Sequence, residues 1–260
     1  MDITKGRREY WPRRLGIHGK YKEGKSTTAA AAPNPLFIAL EDGQSHIGVD
    51  RIECWKKSWT DVLGLIHQIA SPEEKHDYKT LVIDTATVLQ AKMEAEVVSD
   101  ANDKKVKTIQ DIGYGKGPPR LAEKFDKVLQ ALDDVVNIKK MSVIVICQTV
   151  IETITPADGT PYDQFTLDLE KKNVRPRLCR WLDDIMFVKQ GVLVADGEDG
   201  KAGRAKKFKG RMAILKDDPS CECGVRLPSS SPSIIELNDE GDGAKYWEMI
   251  RSFHMAKETA

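Results

Sequence analysis

Short, nearly continuous apolar runs alternate along the chain with longer stretches in which apolar residues recur every three or four positions. Leu36-Phe37-Ile38-Ala39-Leu40, Tyr78–Thr85 with its Leu81-Val82-Ile83 centre, and Met141–Val150 have the length and uniform hydrophobicity of strands buried on both faces of a parallel sheet. Between them, Trp59, Val62, Leu63, Leu65, Ile66 and Ile69 share one face of a helix that Ser71-Pro72 ends. Val88–Val98 continues as a helix, and Leu121, Phe125, Val128, Leu129, Leu132, Val135 and Val136 form the stripe of a third over Leu121–Ile138. His46–Ile52 reads as a further short strand. Asp183–Val188 and Gly191–Val194 read as adjacent strands, Met212–Leu215 as a returning one, and Gly243–Met255 as a closing helix. Alternating strands and helices predict an α/β fold, a mostly parallel sheet flanked by helices with an antiparallel C-terminal extension.

The polar residues that interrupt this pattern stand at the ends of strands, where open α/β sheets bind ligands. Arg14-Leu15-Gly16-Ile17-His18 can enter, and Ser26-Thr27-Thr28 with Ala29–Ala32 can leave as a helix, the stretch Gly19-Lys20-Tyr21-Lys22-Glu23-Gly24-Lys25-Ser26. That stretch fits the phosphate-loop pattern G-x-x-x-x-G-K-[ST]. The two glycines let backbone N–H groups turn toward phosphate oxygens, Lys25 supplies a point charge and Ser26 a hydroxyl for Mg²⁺. The whole loop with Thr27 is the expected ATP contact. Glu41, at the end of the second strand, is the candidate base that orients the attacking water; alternatively Glu41 or Asp42 caps the turn before Gly43. Asp84 ends a hydrophobic strand as a Mg²⁺-shell carboxylate does. Thr85 reads equally as a ligand of that water shell or as a helix cap. Gln148 stands at a strand end where a γ-phosphate sensor would lie, whereas Cys147 reads as a small core residue.

Loops carry the remaining candidates. Tyr114 and Lys116, set among three glycines over 113–117, suit a nucleic-acid backbone or base, or form an ordinary connection between helices. Lys171, Lys172, Arg175 and Arg177, with Trp181 beyond them, suit a single-stranded nucleic-acid groove or the γ-phosphate of a neighbouring subunit, or form a solvated helix face. The cations from Lys201 to Arg211 bracket Phe208 in a basic, glycine-bearing linker, a hairpin that suits phosphate or a partner, or is disordered. Cys221-Glu222-Cys223 has no second pair nearby and makes a poor zinc site. Tyr10 and Trp11 pack on the domain edge or stack on a base.

Composition narrows the classes. Over 260 residues, 40 basic side chains balance 40 acidic ones, so any nucleic-acid affinity must come from local clusters. Five scattered cysteines fit a reducing compartment better than a disulfide scaffold. No apolar run reaches the roughly 18 residues of a membrane span, and the basic N-terminus lacks the apolar segment of a secretory signal. A soluble, cytoplasmic protein with no membrane partner is expected.

With the phosphate loop, Leu40-Glu41-Asp42-Gly43, Leu81–Thr85 and Gly113–Gly117 in view, the chain resembles the bacteriophage ATP-binding proteins of the RecA/recombinase-core AAA type, which are associated with single-strand-annealing recombination. The resemblance continues through Tyr162-Asp163-Gln164-Phe165, Lys171-Lys172 and Leu182-Asp183-Asp184, and departs where the loop interior carries Lys20, Lys22 and Glu23 rather than the usual Pro and Gly. It implies a RecA-like core over 14–215, between a lead-in at 1–13 and a C-terminal segment at 216–260. It implies Lys25 and Ser26 on phosphate and Mg²⁺, Glu41 as the catalytic carboxylate, Asp84 as the Walker-B acid, and Gln148 as the residue coupling γ-phosphate to a DNA-binding loop at 149–168. The implied protein is an oligomeric, DNA-interacting recombination ATPase of a host bacterial cytoplasm, with single-stranded DNA and a phage recombinase or single-strand-binding protein as partners. A single-strand-binding accessory that holds ATP as a structural ligand, and a small-molecule P-loop kinase, are the alternatives.

Overall fold

The computed structural model describes residues 11–42, 47–195, 204–238 and 243–255. In chain order its elements are β1 (Arg14–Gly19), α1 (Lys25–Ala30), β2 (Pro35–Ala39), β3 (Asp50–Glu53), α2 (Trp59–Ala70), β4 (Thr80–Asp84), α3 (Ala86–Asp100), α4 (Gly117–Ile138), β5 (Ser142–Ile154), β6 (Tyr162–Leu167), α5 (Arg175–Trp181), β7 (Asp184–Ala195), β8 (Arg204–Ile214), β9 (Gly224–Val225), β10 (Ile234–Leu237) and α6 (Ala244–Met255). One sheet runs β10-β8-β7-β1-β5-β4-β2-β3, with β6 paired to β5 and β9 to β7. From β7 to β3 every pairing is parallel. The β7–β8, β8–β10, β7–β9 and β5–β6 pairs are antiparallel. This is the RecA-like α/β architecture with antiparallel C-terminal strands.

The uniform hydrophobicity of the inner strands follows from their two covered faces. Successive side chains alternate sides, so Leu36, Ile38, Leu81, Ile83, Val143 and Val145 meet α2, α3, α4 and α5 in one core. Phe37, Val82, Ile144 and Ile146 meet α1 and α6 in the other, with Leu15, Ile17, Met186 and Val188 from the neighbouring strands. Helix starts are fixed locally. Ser58 caps α2 in a reciprocal box with Asp61, and Thr85 Oγ1 accepts from Val88 N at 3.3 Å at the start of α3.

Four elements differ from the sequence expectation. Asp183–Val188 and Gly191–Val194 are one strand, because an irregularity between Gln190 and Val192 absorbs the intervening glycine without ending the pairing to β8. The segment expected to be a basic linker already belongs to β8 from Arg204 onward, while 196–203 lies outside the described residues. The region after Gln148 is no open loop. β5 continues to Ile154, turns near Asp158-Gly159, and returns as β6, so 149–167 forms an antiparallel ribbon. The short strand expected over 46–52 is found at Asp50–Glu53, at the edge of the sheet, and 43–46 lies outside the described residues.

Trp11, Arg13 and α6 lock onto this sheet. Trp11 packs edge-on against Trp247 of α6, with ring centres 5.7 Å apart; Tyr10 lies outside the described residues. Asp184, wholly buried at the start of β7, accepts from Arg13 Nε at 3.1 Å, from Tyr246 Oη and from Arg226 N at 2.9 Å. Among the described residues no helix is long and apolar enough to cross a membrane.

Candidate active site

Parallel strands end on the same side of a sheet, so register alone brings the candidate residues together. Gly19 at the end of β1 pairs with Gln148 of β5. Ala39 of β2, two residues before Glu41, pairs with Asp84 at the end of β4. The phosphate loop leaves β1 where no larger residue fits, because a Cβ on Gly19 would stand 2.4 Å from Val188 O of β7. Gly24 closes the loop in the left-handed region, at φ 93°, and leads into α1.

Lys25 is 7% exposed. Its Nζ donates to Gly19 O at 2.9 Å, Lys20 O at 2.8 Å and Gln148 Oε1 at 3.0 Å. Burial pushes its pKa down, opposed by the carboxylates of Asp84, Glu41 and Glu23. Ser26 Oγ donates to Asp84 Oδ2 at 2.6 Å. Glu41 Oε1 accepts from Thr85 Oγ1 at 2.8 Å and from Gln148 Nε2 at 3.3 Å. Gln148 thus joins the ammonium of Lys25 to the carboxylate of Glu41, and is itself held where its backbone N–H donates to Thr87 Oγ1 at 3.0 Å. These groups line a cavity of about 450 Å³ with the phosphate loop, Asp42, Ile47 and Arg211, a volume suited to a small-molecule ligand.

The donor set fits a hydrated Mg²⁺. A hydroxyl and a carboxylate that already meet at 2.6 Å are hard oxygen ligands that leave most positions to water and phosphate oxygens. Elsewhere among the described residues no cluster of three or more His, Cys, Asp or Glu side chains could hold a metal. Cys221 and Cys223 both point their thiols at Asp218 O, each at 3.8 Å.

Of the other loop residues, Gly24, Thr27, Tyr21 and Lys22 line the cavity. Tyr21 is 75% exposed. Lys20 N donates to Glu23 at 3.2 Å while its ammonium lies 5.1 Å from the Phe165 ring centre. Thr85 caps α3 and orients Glu41 at once, a double role that its position in the sequence leaves open.

None of the six loop cations and aromatics lines this cavity. Tyr114 is 99% exposed with Lys116 5.7 Å from its ring centre. Lys172 is exposed, and Lys171 pairs with Glu152 at 3.1 Å. The expectation that Arg175 presents its charge at a surface is corrected: the side chain is buried and grips Glu152 through two bonds of 3.0 and 2.7 Å. Arg177 pairs with Asp126 at 3.2 Å. Sequence reading did not single out Thr87 or His18. His18 is fully buried one residue before the loop, between Thr149 Oγ1 at 2.9 Å and Glu222 O at 2.7 Å. Because a carbonyl only accepts, Nε2 carries the proton and Nδ1 accepts from Thr149. Burial pushes the imidazole pKa down to about 4.

No curated protein matches the chain. Among solved structures it is similar to one described as the crystal structure of the RadB recombinase, with 14% identity over 89% of this chain and 90% of that chain and a TM-score of 0.48. Residues 12–222 match the family model AAA_24, described as an AAA domain, a domain type that implies nucleotide binding, typically with Mg²⁺. With a phosphate loop at the carboxyl ends of a parallel sheet and most of its length inside that match, the chain belongs to the AAA domain family.

Proposed function

We propose that the protein hydrolyses ATP and couples that hydrolysis to single-stranded DNA in recombination. The observation that carries the ATPase reading is the hydrogen-bonded chain Lys25–Gln148–Glu41 beside the Ser26–Asp84 pair, all on one cavity. Lys25 binds the phosphates of the substrate as a held charge. Glu41, oriented by Thr85 and Gln148, takes a proton from the attacking water as its oxygen bonds to the γ-phosphorus and the bond to the bridging oxygen breaks, giving ADP and phosphate. Gln148 answers to the state of Lys25 and Glu41 together. Ser26 and Asp84 would hold Mg²⁺, which would supply charge neutralisation at the phosphates.

Support for the DNA part comes from what lies beyond Gln148. The same strand runs directly into the β5–β6 ribbon, which carries Ile151 and Tyr162 at 53% and 38% exposure, and aromatic side chains on a ribbon suit stacking on unpaired bases. Tyr114 with Lys116, Lys172 and Arg177 are further contact candidates. An oligomer whose subunits share sites, a phage origin with a host-cytoplasmic location, and a recombinase or single-strand-binding partner belong to the same reading. Anisotropy of a labelled single-stranded oligonucleotide, titrated with protein with and without ATP at two salt concentrations, tests it. Binding that strengthens with ATP and weakens with salt is expected; binding absent under all four conditions removes the DNA role.

A further inference from the structure

Among the described residues, Arg211 is the one member of the cavity wall that comes from the antiparallel part of the sheet. It stands on β8, in register with Gln190 of β7 and Leu237 of β10, so its backbone is fixed by strands on both sides. Its Nη2 reaches the phosphate loop and lies 3.5 Å from Lys22 O. Its Nε is buried with no partner among the described residues. Arg14 and Arg175 also have an unpartnered Nε, yet each places its charge on a carboxylate, Asp133 and Glu152. Among the described residues no ion pair does the same for Arg211. Of the three carboxylates that share its cavity, Asp84 is engaged by Ser26 and Glu41 by Thr85 and Gln148, and the third, Asp42, makes no ion pair with Arg211 among the described residues. A guanidinium that faces a ligand-sized cavity with unused planar donors matches phosphate oxygens in charge and geometry.

We infer that Arg211 is a second phosphate-binding cation of the site, supplied by the same chain, which grips the nucleotide's phosphate chain from the side of the loop opposite the carboxylates. The inference rests on the nucleotide-binding reading above. It assigns the β7–β8 extension a task that its position at the far end of the sheet does not announce, to carry a charge back over the loop that β1 feeds.

The test is equilibrium binding of a fluorescent, non-hydrolysable ATP analogue, with inorganic tripolyphosphate as competitor, to wild type, Arg211→Ala and Arg211→Lys. Arg211→Ala is expected to weaken both the analogue and tripolyphosphate about tenfold, to flatten the salt dependence of binding, and to leave the melting temperature without ligand unchanged. Arg211→Lys is expected to recover part of the loss. Wild type that binds no nucleotide removes the site and the inference with it. Wild type that binds, with Arg211→Ala equal to it, overturns the inference alone. Loss of the analogue with tripolyphosphate binding intact also overturns it, because the contact would then be to base or ribose.

Discussion

Lys25 and Gln148 meet across 123 positions of sequence in a hydrogen bond of 3.0 Å. The other end of the same amide reaches Glu41 at 3.3 Å. One side chain therefore touches both the proposed phosphate-binding charge and the proposed base, and sits on the strand that becomes the β5–β6 ribbon. Gln148→Leu keeps the volume and removes both bonds. Turnover is expected to fall at least about a hundredfold, while the dissociation constant for ATP changes by only a few-fold; steady-state kinetics beside equilibrium binding separate the two effects.

Glu41 is held by Thr85 and Gln148 but carries the proposed proton transfer alone. Glu41→Gln is expected to lower kcat about a hundredfold to ten-thousandfold and to leave ATP binding in place. Thr85→Val removes the 2.8 Å bond together with the cap of α3, so it lowers kcat less and also costs about 1 kcal/mol of stability. Phosphate release and urea denaturation measured on the same preparations check both. A Glu41→Gln protein with wild-type turnover contradicts the assignment.

The buried cluster of Arg13, Asp184 and Tyr246 ties the start of β1 to β7 and α6. Asp184→Ala leaves the Arg13 guanidinium buried without its counter-charge, which is expected to destabilise the fold by about 3–5 kcal/mol. The midpoint of denaturant unfolding reads this directly, and a midpoint within error of wild type contradicts it.

His18 predicts a pH dependence. Its folded pKa of about 4 lies below the 6.5 of an exposed imidazole, so between those values the unfolded chain binds a proton that the folded chain refuses. The contribution is present in full above pH 6.5. It is lost as the pH falls to about 4, on the order of 3 kcal/mol in all. Unfolding free energies at pH 7.5, 6 and 5 should decline in that order, and the imidazole should stay neutral by NMR at pH 5.5.

The strand ends were readable because their signals are local. A run of apolar residues closed by Asp84, by Glu41 or by Gln148 carries both its burial and its chemistry within ten positions, and parallel register then brings the three together. Arg175 misled for the opposite reason. Its surroundings in sequence are cationic, but its partner Glu152 is 23 residues away on the ribbon. His18 meets the Glu222 carbonyl 204 residues later, a contact that exists only once the C-terminal segment has laid itself along the ribbon. Arg211 reads as one more cation in a basic stretch until β8 pairs with β7. The irregularity at Gln190 made one strand look like two, since a glycine within a strand resembles a turn when only neighbours are visible.

The most direct test of the account is ATP hydrolysis by wild type and Lys25→Ala, each with and without single-stranded DNA, at two salt concentrations. The account predicts turnover in wild type that DNA stimulates, stimulation that falls with salt, and no turnover in Lys25→Ala under any condition. Hydrolysis that survives in Lys25→Ala contradicts the site, and wild-type turnover indifferent to DNA contradicts its coupling to recombination.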